Sequence, residues 1–438
     1  MVKKALKTTL SLIVIALLAF AAGTAIRLKR TVPALRDEEY LALVPKVMEL
    51  IKQRYVEKVD DKKLVEGAIN GMLAALDPHS AYLPPEFFKE MNIEISGSFG
   101  GLGIEINMAD GRLTVIAPID DTPAFRAGIR AGDVIWKIDG KPTRDLTINE
   151  AVNRMRGPKG TRVTLTILRK NTPRPLAFNL VRDIIKTKSL KARALEPGYG
   201  YVRISHFQER TGEEFAAALQ ALRKENGGTL KGLVIDLRNN PGGLLEPAVD
   251  VAGRFIDAKA KDGLVVYTKG REASSRMTLT TGMDNKEPRY PVVVLINGGS
   301  ASASEIVAGA LQDHNRAVIM GTQSFGKGSV QTVFPLPGGA GLKLTTAKYY
   351  TPKGRSIQAK GITPDIVVAR DETPATPTKK VRAIRERDLE NHMMPEDEET
   401  PEAVEPAKGK PQEQDSRDNQ LARALDLLKG MGLLGKEQ

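Results

Sequence analysis

Asn297-Gly-Gly-Ser-Ala-Ser-Ala-Ser-Glu305 and Phe325-Gly-Lys-Gly-Ser-Val-Gln331 are the stretches around which this 438-residue chain is organised. Val292 to Ile296, just upstream, is a short branched apolar run that reads as a buried strand. It breaks at Asn297-Gly298-Gly299, a turn sequence whose glycines tolerate positive φ. A helix is predicted from Ala303 to Asp313, and Ser302-Ala-Ser-Glu305 matches a capping box that puts Ser302 at its N-terminus. A further strand at Ala317–Met320 leads to a lysine between two glycines, Lys327.

Two readings fit these residues. In one, Ser302 caps a helix and Lys327 is a solvated turn lysine. In the other, Ser302 is a nucleophile and Lys327 its base. A serine hydroxyl needs a proton acceptor, and a neutral amine serves if desolvation lowers its pKa from about 10.4 towards 7–8. Gly326 and Gly328 let backbone close around the amine. Gln331 falls on the same face as Lys327 if residues 327–333 are extended, where it could hydrogen-bond the amine without adding charge. The helix N-terminus adds partial positive charge for an oxyanion. A nucleotide-binding reading fails: Gly321 to Lys327 fits G-x-x-x-x-G-K, but Gly328 stands where Ser or Thr must follow, and the next residues alternate like a strand.

Together these residues resemble the carboxyl-terminal processing (tail-specific) serine proteases, which use a serine–lysine dyad. The resemblance runs from about Glu38 to Val368. It takes in Asp77-Pro-His-Ser-Ala-Tyr-Leu, Asp236-Leu-Arg-Asn-Asn-Pro-Gly-Gly, Thr345-Thr-Ala-Lys-Tyr-Tyr-Thr-Pro and Gly354-Arg-Ser-Ile-Gln-Ala-Lys-Gly-Ile-Thr-Pro-Asp. It implies Ser302 as nucleophile, rather than Ser300 or Ser304, with Lys327 as base and Gln331 orienting the lysine. The backbone N–H groups of Gly243 and Ala303 are implied as the oxyanion hole, glycine suiting that place because a side chain would crowd the substrate. The implied fold is α/β and multidomain: N-terminal helices, then a PDZ domain inserted before a crotonase-like protease core.

Composition narrows the alternatives. With no cysteine, a cysteine nucleophile, disulfides and thiolate metal sites are excluded, and the four histidines have no metal-ligand spacing. No metal or other cofactor is expected. The net charge is +12; residues 1–30 hold six basic and no acidic residues, while residues 371–438 hold 11 basic and 16 acidic. The body is therefore basic, but little aromatic interleaving and no nucleic-acid motif argue for a basic surface and against nucleic acid as a partner. His314 would sit at the far end of the Ser302 helix, roughly 18 Å away, so it is not expected to serve that serine. Nothing local recommends His206, and His79 reads as a hydrogen-bonder in its turn.

Five regions are expected. Residues 1–30 are an export signal: Lys3, Lys4 and Lys7 precede the apolar run Leu10 to Ile26, with a cleaved peptide and an inner-membrane anchor at residues 8–26 both open. A periplasmic or other extracytoplasmic location follows. Residues 31–96 are an N-terminal helical region, helical by period from Asp37 to Leu76, either covering the core or pairing with a second chain as a homodimer or higher oligomer. Residues 97–185 resemble a PDZ domain whose Gly101-Leu102-Gly103-Ile104 loop would bind a terminal carboxylate while the peptide adds a strand beside Ile104–Ile106. Residues 186–370 alternate strands and helices, implying a largely parallel core sheet with the site at its carboxyl ends. Residues 371–438 are a Pro/Glu-rich linker ending in a helix near Leu421–Leu434. The resulting expectation is an exported serine endopeptidase whose partners are protein or peptide C-terminal tails, with an adaptor or activator protein admitted. A PDZ adaptor on an idle protease scaffold is the rival.

Overall fold

A computed structural model describes residues 36–282, 286–370, 384–394 and 418–434, and the expected export segment lies outside them. Among the described residues no helix is long and apolar enough to cross a membrane. Contacts divide the chain into residues 1–69 and 70–438. The first unit carries helix Asp37–Arg54, with Asp37, Glu38 and Glu39 in its first turn and Lys52 and Arg54 in its last. That order complements the helix dipole. None of its residues is buried. Helix Asp61–Ala74 follows.

The core of the second unit is a six-stranded sheet in the order Leu190–Glu196, Tyr199–Ile204, Gly232–Asp236, Val292–Ile296, Val318–Gly321, Ile366–Val367. Every neighbouring pair after the first is parallel. Gly232–Asp236 and Val292–Ile296 are buried at every position, as parallel strands covered on both faces must be. Alternate side chains serve two cores. Ile235, Val292 and Val294 pack with Phe215, Leu219 and Val251 from helices Thr211–Glu225 and Leu245–Gly253. Val234, Val293 and Leu295 instead meet Ala424 and Leu428 of the C-terminal helix Asn419–Leu434. That helix is tied down where Arg238 Nη2 lies 2.6 Å from Asp418 Oδ2 and Gln420 donates to Val368 O at 2.7 Å.

A second sheet, running Ala81–Leu83, Gly341–Tyr350, Leu264–Gly270, Met277–Thr280, also pairs Ser329–Pro335 with Gly341–Tyr350. The antiparallel module upstream has the order Ile104–Ala109, Arg112–Pro118, Val134–Ile138, Arg162–Leu168, Leu176–Val181, closed by helix Ile148–Met155. Thr147 and Glu150 form a full capping box at that helix. Ile104–Ala109 is an edge strand.

The stretch read as a Pro/Glu-rich linker contains one folded piece. Residues 384–394 lie against the core, with Glu386 fully buried. Composition hides this segment because its anchor is a single carboxylate whose partners lie far off in sequence.

Candidate active site

Three carboxyl-end loops of the parallel sheet build the site. The turn after Val292–Ile296 delivers Ser302 to the N-terminus of helix Ala303–Asp313, all of whose residues except Gln312 are buried. The loop after Gly232–Asp236 brings Gly242 and Gly243 alongside. The loop after Val318–Gly321 brings Lys327.

Ser302 has φ 56° and ψ −116°, a left-handed conformation unusual for a residue with a side chain. Such strain persists only where its surroundings fix it. Glu305 does so. Its Oε2 accepts from the Ser302 N–H at 2.8 Å and from the Lys327 N–H at 2.9 Å. Its Oε1 accepts from Ser324 Oγ at 2.5 Å and from the Gly326 N–H at 2.7 Å. One buried carboxylate thus holds the serine and the lysine loop together. Glu305 reaches back to the Ser302 N–H as the expected capping box requires, and the Ser302 hydroxyl is also within reach of Tyr349.

Burial pushes the Glu305 carboxyl up to about 7, against the four hydrogen bonds that favour its ionised form. Burial likewise pushes the Lys327 amine below its usual value, helped by Lys343 and opposed by the carboxylates of Glu386, Glu305 and Asp77. That is the direction a lysine base requires. Tyr349, buried on the neighbouring strand, donates its hydroxyl to Lys327 O.

The reason position 243 excludes a side chain differs from the one expected. A Cβ on Gly243, where φ is 137°, would lie 2.1 Å from Phe207 O, so the neighbouring backbone rather than the substrate excludes a side chain there. Gly242 is the glycine that faces Ser302: a Cβ on it would meet Ser302 Cβ at 2.8 Å and the Ala303 N at 3.0 Å. Among the described residues, neither the Gly243 N–H nor the Ala303 N–H donates to a protein acceptor. Asn240, which the sequence reading passed over, ties the two loops. Its carbonyl accepts from the Ala301 N–H and from Ser304 Oγ, and its side chain binds Ile204 O and the Gly242 N–H.

Gln331 departs from expectation. Its amide nitrogen donates to Ser329 Oγ at 2.9 Å and Thr345 Oγ1 at 3.3 Å, and among the described residues no hydrogen bond joins it to Lys327. The strand pairing shifts register between Val330 and Gln331. The extra residue is Thr346 on the partner strand, and Lys327 lies before the strand begins at Ser329, so the strand's alternation does not reach back to put positions 327 and 331 on one face. Thr345 Oγ1 also donates to Asp77 Oδ1 at 3.1 Å. Burial raises the Asp77 pKa, but hydrogen bonds from Ser80, His79 and Thr345 outweigh it and hold the carboxyl below its ordinary value.

The other three histidines stand elsewhere: His314 Nε2 meets Leu264 O at 2.7 Å, His206 faces Glu94 at 3.9 Å and His392 Nδ1 meets Leu389 O at 3.0 Å. No cluster of metal-ligating side chains occurs among the described residues.

In the antiparallel module, Leu102 and Gly103 turn their carbonyls inward, to the Ala124 N–H at 3.0 Å and the Ile119 N–H at 2.9 Å. Gly103 has φ 75°, and a Cβ there would lie 2.3 Å from the Thr122 side chain. Leu102 is 3% exposed and belongs to the module's core, so of the two apolar loop residues only the half-buried Ile104 is left to face a bound side chain.

Comparison with known proteins agrees with this architecture. Residues 198–368 match the profile of peptidase family S41, residues 100–180 that of the PDZ domain, and residues 23–86 that described as the activating protease CtpB N-terminal domain. The chain is 52% identical over 329 residues to a carboxy-terminal-processing protease of Bartonella bacilliformis, covering 75% of each chain. It is 38% identical to the carboxy-terminal processing protease CtpB of Bacillus subtilis, covering 75% of this chain and 68% of that one. Among solved structures, the photosystem II D1 C-terminal processing protease aligns at 30% identity and TM-score 0.42, covering 76% of this chain and 94% of that one. With such relatives matched over two thirds or more of their length, the chain belongs to the carboxy-terminal processing serine proteases of peptidase family S41.

Proposed function

We propose that this protease works outside the cytoplasm, cutting proteins near their free C-termini with a Ser302–Lys327 dyad fed by its PDZ domain. The observation that carries the dyad is Glu305 Oε2, which receives the backbone N–H groups of both residues. Lys327, its ammonium disfavoured by burial, takes the Ser302 Oγ proton as the oxygen attacks the scissile carbonyl carbon. Negative charge then collects on the carbonyl oxygen, where it can be received by the Gly243 and Ala303 N–H groups, which donate to no protein acceptor among the described residues. Lys327 passes its proton to the leaving amine, and water releases the acyl group by the same steps. Gln331 acts on the strand beside Lys327 through Ser329 and Thr345.

Substrate capture is supported by the open edge of Ile104–Ala109, where a peptide can add as a strand with its carboxylate at the Gly101–Ile104 loop. Without the carboxylate, buried donors are left unpaired, at about 1–3 kcal/mol each. The test is kcat/KM for a peptide with a free C-terminus against its C-terminal amide. The acid should be cut about tenfold faster or more, as one such lost bond implies; equal rates would remove tail recognition. The basic start and apolar run of residues 3–26 support export. A reporter that works only in the cytoplasm, fused after residue 40, should be silent, and full activity would refute export.

A further inference from the structure

Residues 384–394 lie beyond the span matched by the peptidase family profile, yet they reach the centre of the site. Glu386 is fully buried, and a buried carboxylate is costly unless hydrogen bonds and charges answer it. Here they do. His79 Nε2 is 2.9 and 2.8 Å from its two oxygens, and Gln358 Nε2 donates to Oε1 at 2.9 Å. The Glu386 N–H donates to Phe325 O at 3.2 Å. Gln358, itself fully buried, uses its Oε1 to accept the Gly328 N–H at 2.9 Å. The lysine loop is therefore held on both sides of Lys327, at Phe325 directly and at Gly328 through Gln358. His79, the third partner, belongs to the Asp77 turn that binds Thr345 and so connects to Gln331.

We propose that Glu386 is a positioning residue for the Lys327 base, and that segment 384–394 is a strap completing the active site from outside the family's core span. The idea rests on the Ser302–Lys327 reading. The groups facing Lys327 are Lys343 on strand Gly341–Tyr350, Glu305 on the Ser302 helix, Asp77 on its turn and Glu386 on the strap. His79 faces Glu386, and Tyr349 faces the Lys327 carbonyl. Of these, the Glu386 charge favours the protonated lysine. Replacing it with a neutral group should loosen the loop and lower the pH at which the base frees itself. A part that only supports the fold would do the first through instability and would not do the second.

The test uses the full chain and a quenched fluorescent peptide with a free C-terminus, measuring kcat and KM across pH alongside thermal unfolding. Glu386→Gln should lower plateau kcat about tenfold or more, as a small misplacement of the base does, with KM little changed. The midpoint of the rise with pH should move to lower pH. An unmoved midpoint, with kcat falling only as the folded fraction falls, would overturn the proposal. If Glu386→Gln does not fold, Glu386→Asp decides: it keeps the charge but withdraws the carboxylate, so kcat should fall with the midpoint in place. Unchanged kcat in Glu386→Asp would overturn it equally. Ser302→Ala in the same assay separates the two claims. Turnover there removes the dyad and this proposal with it, whereas a dead Ser302→Ala beside unaffected Glu386 variants removes the strap alone.

Discussion

Strands Val292–Ile296 and Arg162–Leu168 are both rich in β-branched residues, yet they do opposite jobs. The first is buried at all five positions, its side chains divided between two cores. The second alternates, with Val163, Leu165 and Ile167 buried and Thr164 and Thr166 between them half-buried. Parallel strands sandwiched by helices can point a loop only from their ends, and the Ser302 and Gly243 loops leave from those ends. An antiparallel module leaves an edge free, and Ile104–Ala109 offers its backbone along that edge. In the function proposed above, the core would build chemistry from side chains at its loop ends, while the module would offer recognition through main-chain groups.

This contrast breaks first at Glu305. Truncation by Glu305→Ala strands the N–H groups of Ser302, Gly326 and Lys327 and the Ser324 hydroxyl. Unfolding by urea should show a loss of at least about 3 kcal/mol, several orphaned donors at about 1–3 each, and proteolysis should nearly vanish. A milder loss than about 1 kcal/mol would mean that the carboxylate does not hold the two loops. The group also has a pH signature. Its folded pKa, about 7, stands above the usual carboxyl value, so the folded chain holds the extra proton between roughly 4.5 and 7. Stability from this group is full below that window and lost as pH rises through it. In Glu305→Ala the stability–pH slope should flatten there.

The strands themselves give the next sizes. Val294→Ala, at a fully buried position, should cost about 2–3 kcal/mol, since a cavity opens in a core that cannot relax from either side. Ile116→Thr in the module, at a position 50% exposed, should stay within about 0.5 kcal/mol. Equal costs would erase the distinction between the two kinds of strand. Gly103→Asp, by contrast, cannot serve as a pure charge probe of the carboxylate loop. Its Cβ would strike Thr122 at a positive φ, so sterics would dominate any effect.

Much of this was legible in the sequence because the signals are local. The run Val292–Ile296 with its glycine turn reads as strand and loop, and Ser302-Ala-Ser-Glu305 places a helix start. The period of Leu421–Leu434 predicts the C-terminal helix. Which sheet face that helix covers was not legible, because a strand buried on both sides shows no alternation. The Gln331 expectation assumed an extended run from position 327, but the strand begins only at Ser329, a boundary that an alternating pattern does not mark. Glu305 was visible as a cap but not as the tether of the lysine loop, since Lys327 is 22 residues away. Glu386 and His79 are 307 residues apart, and no composition or period connects them.

The central claim is that Lys327 activates Ser302, and labelling of Ser302 by a small fluorophosphonate probe tests it without any dependence on substrate docking. The comparison is unmodified chain against Lys327→Met, which keeps the stem's bulk and removes the amine, with labelling rates followed across pH. The account predicts that unmodified Ser302 reacts faster as pH rises, with a midpoint below the ordinary lysine value of 10.5 because burial disfavours the charged amine. Lys327→Met should be slower by about a thousandfold, the scale of removing one member of a catalytic unit, and should lose that midpoint. Equal labelling of the two proteins, with the same pH dependence, would contradict the assignment of Lys327 as the base.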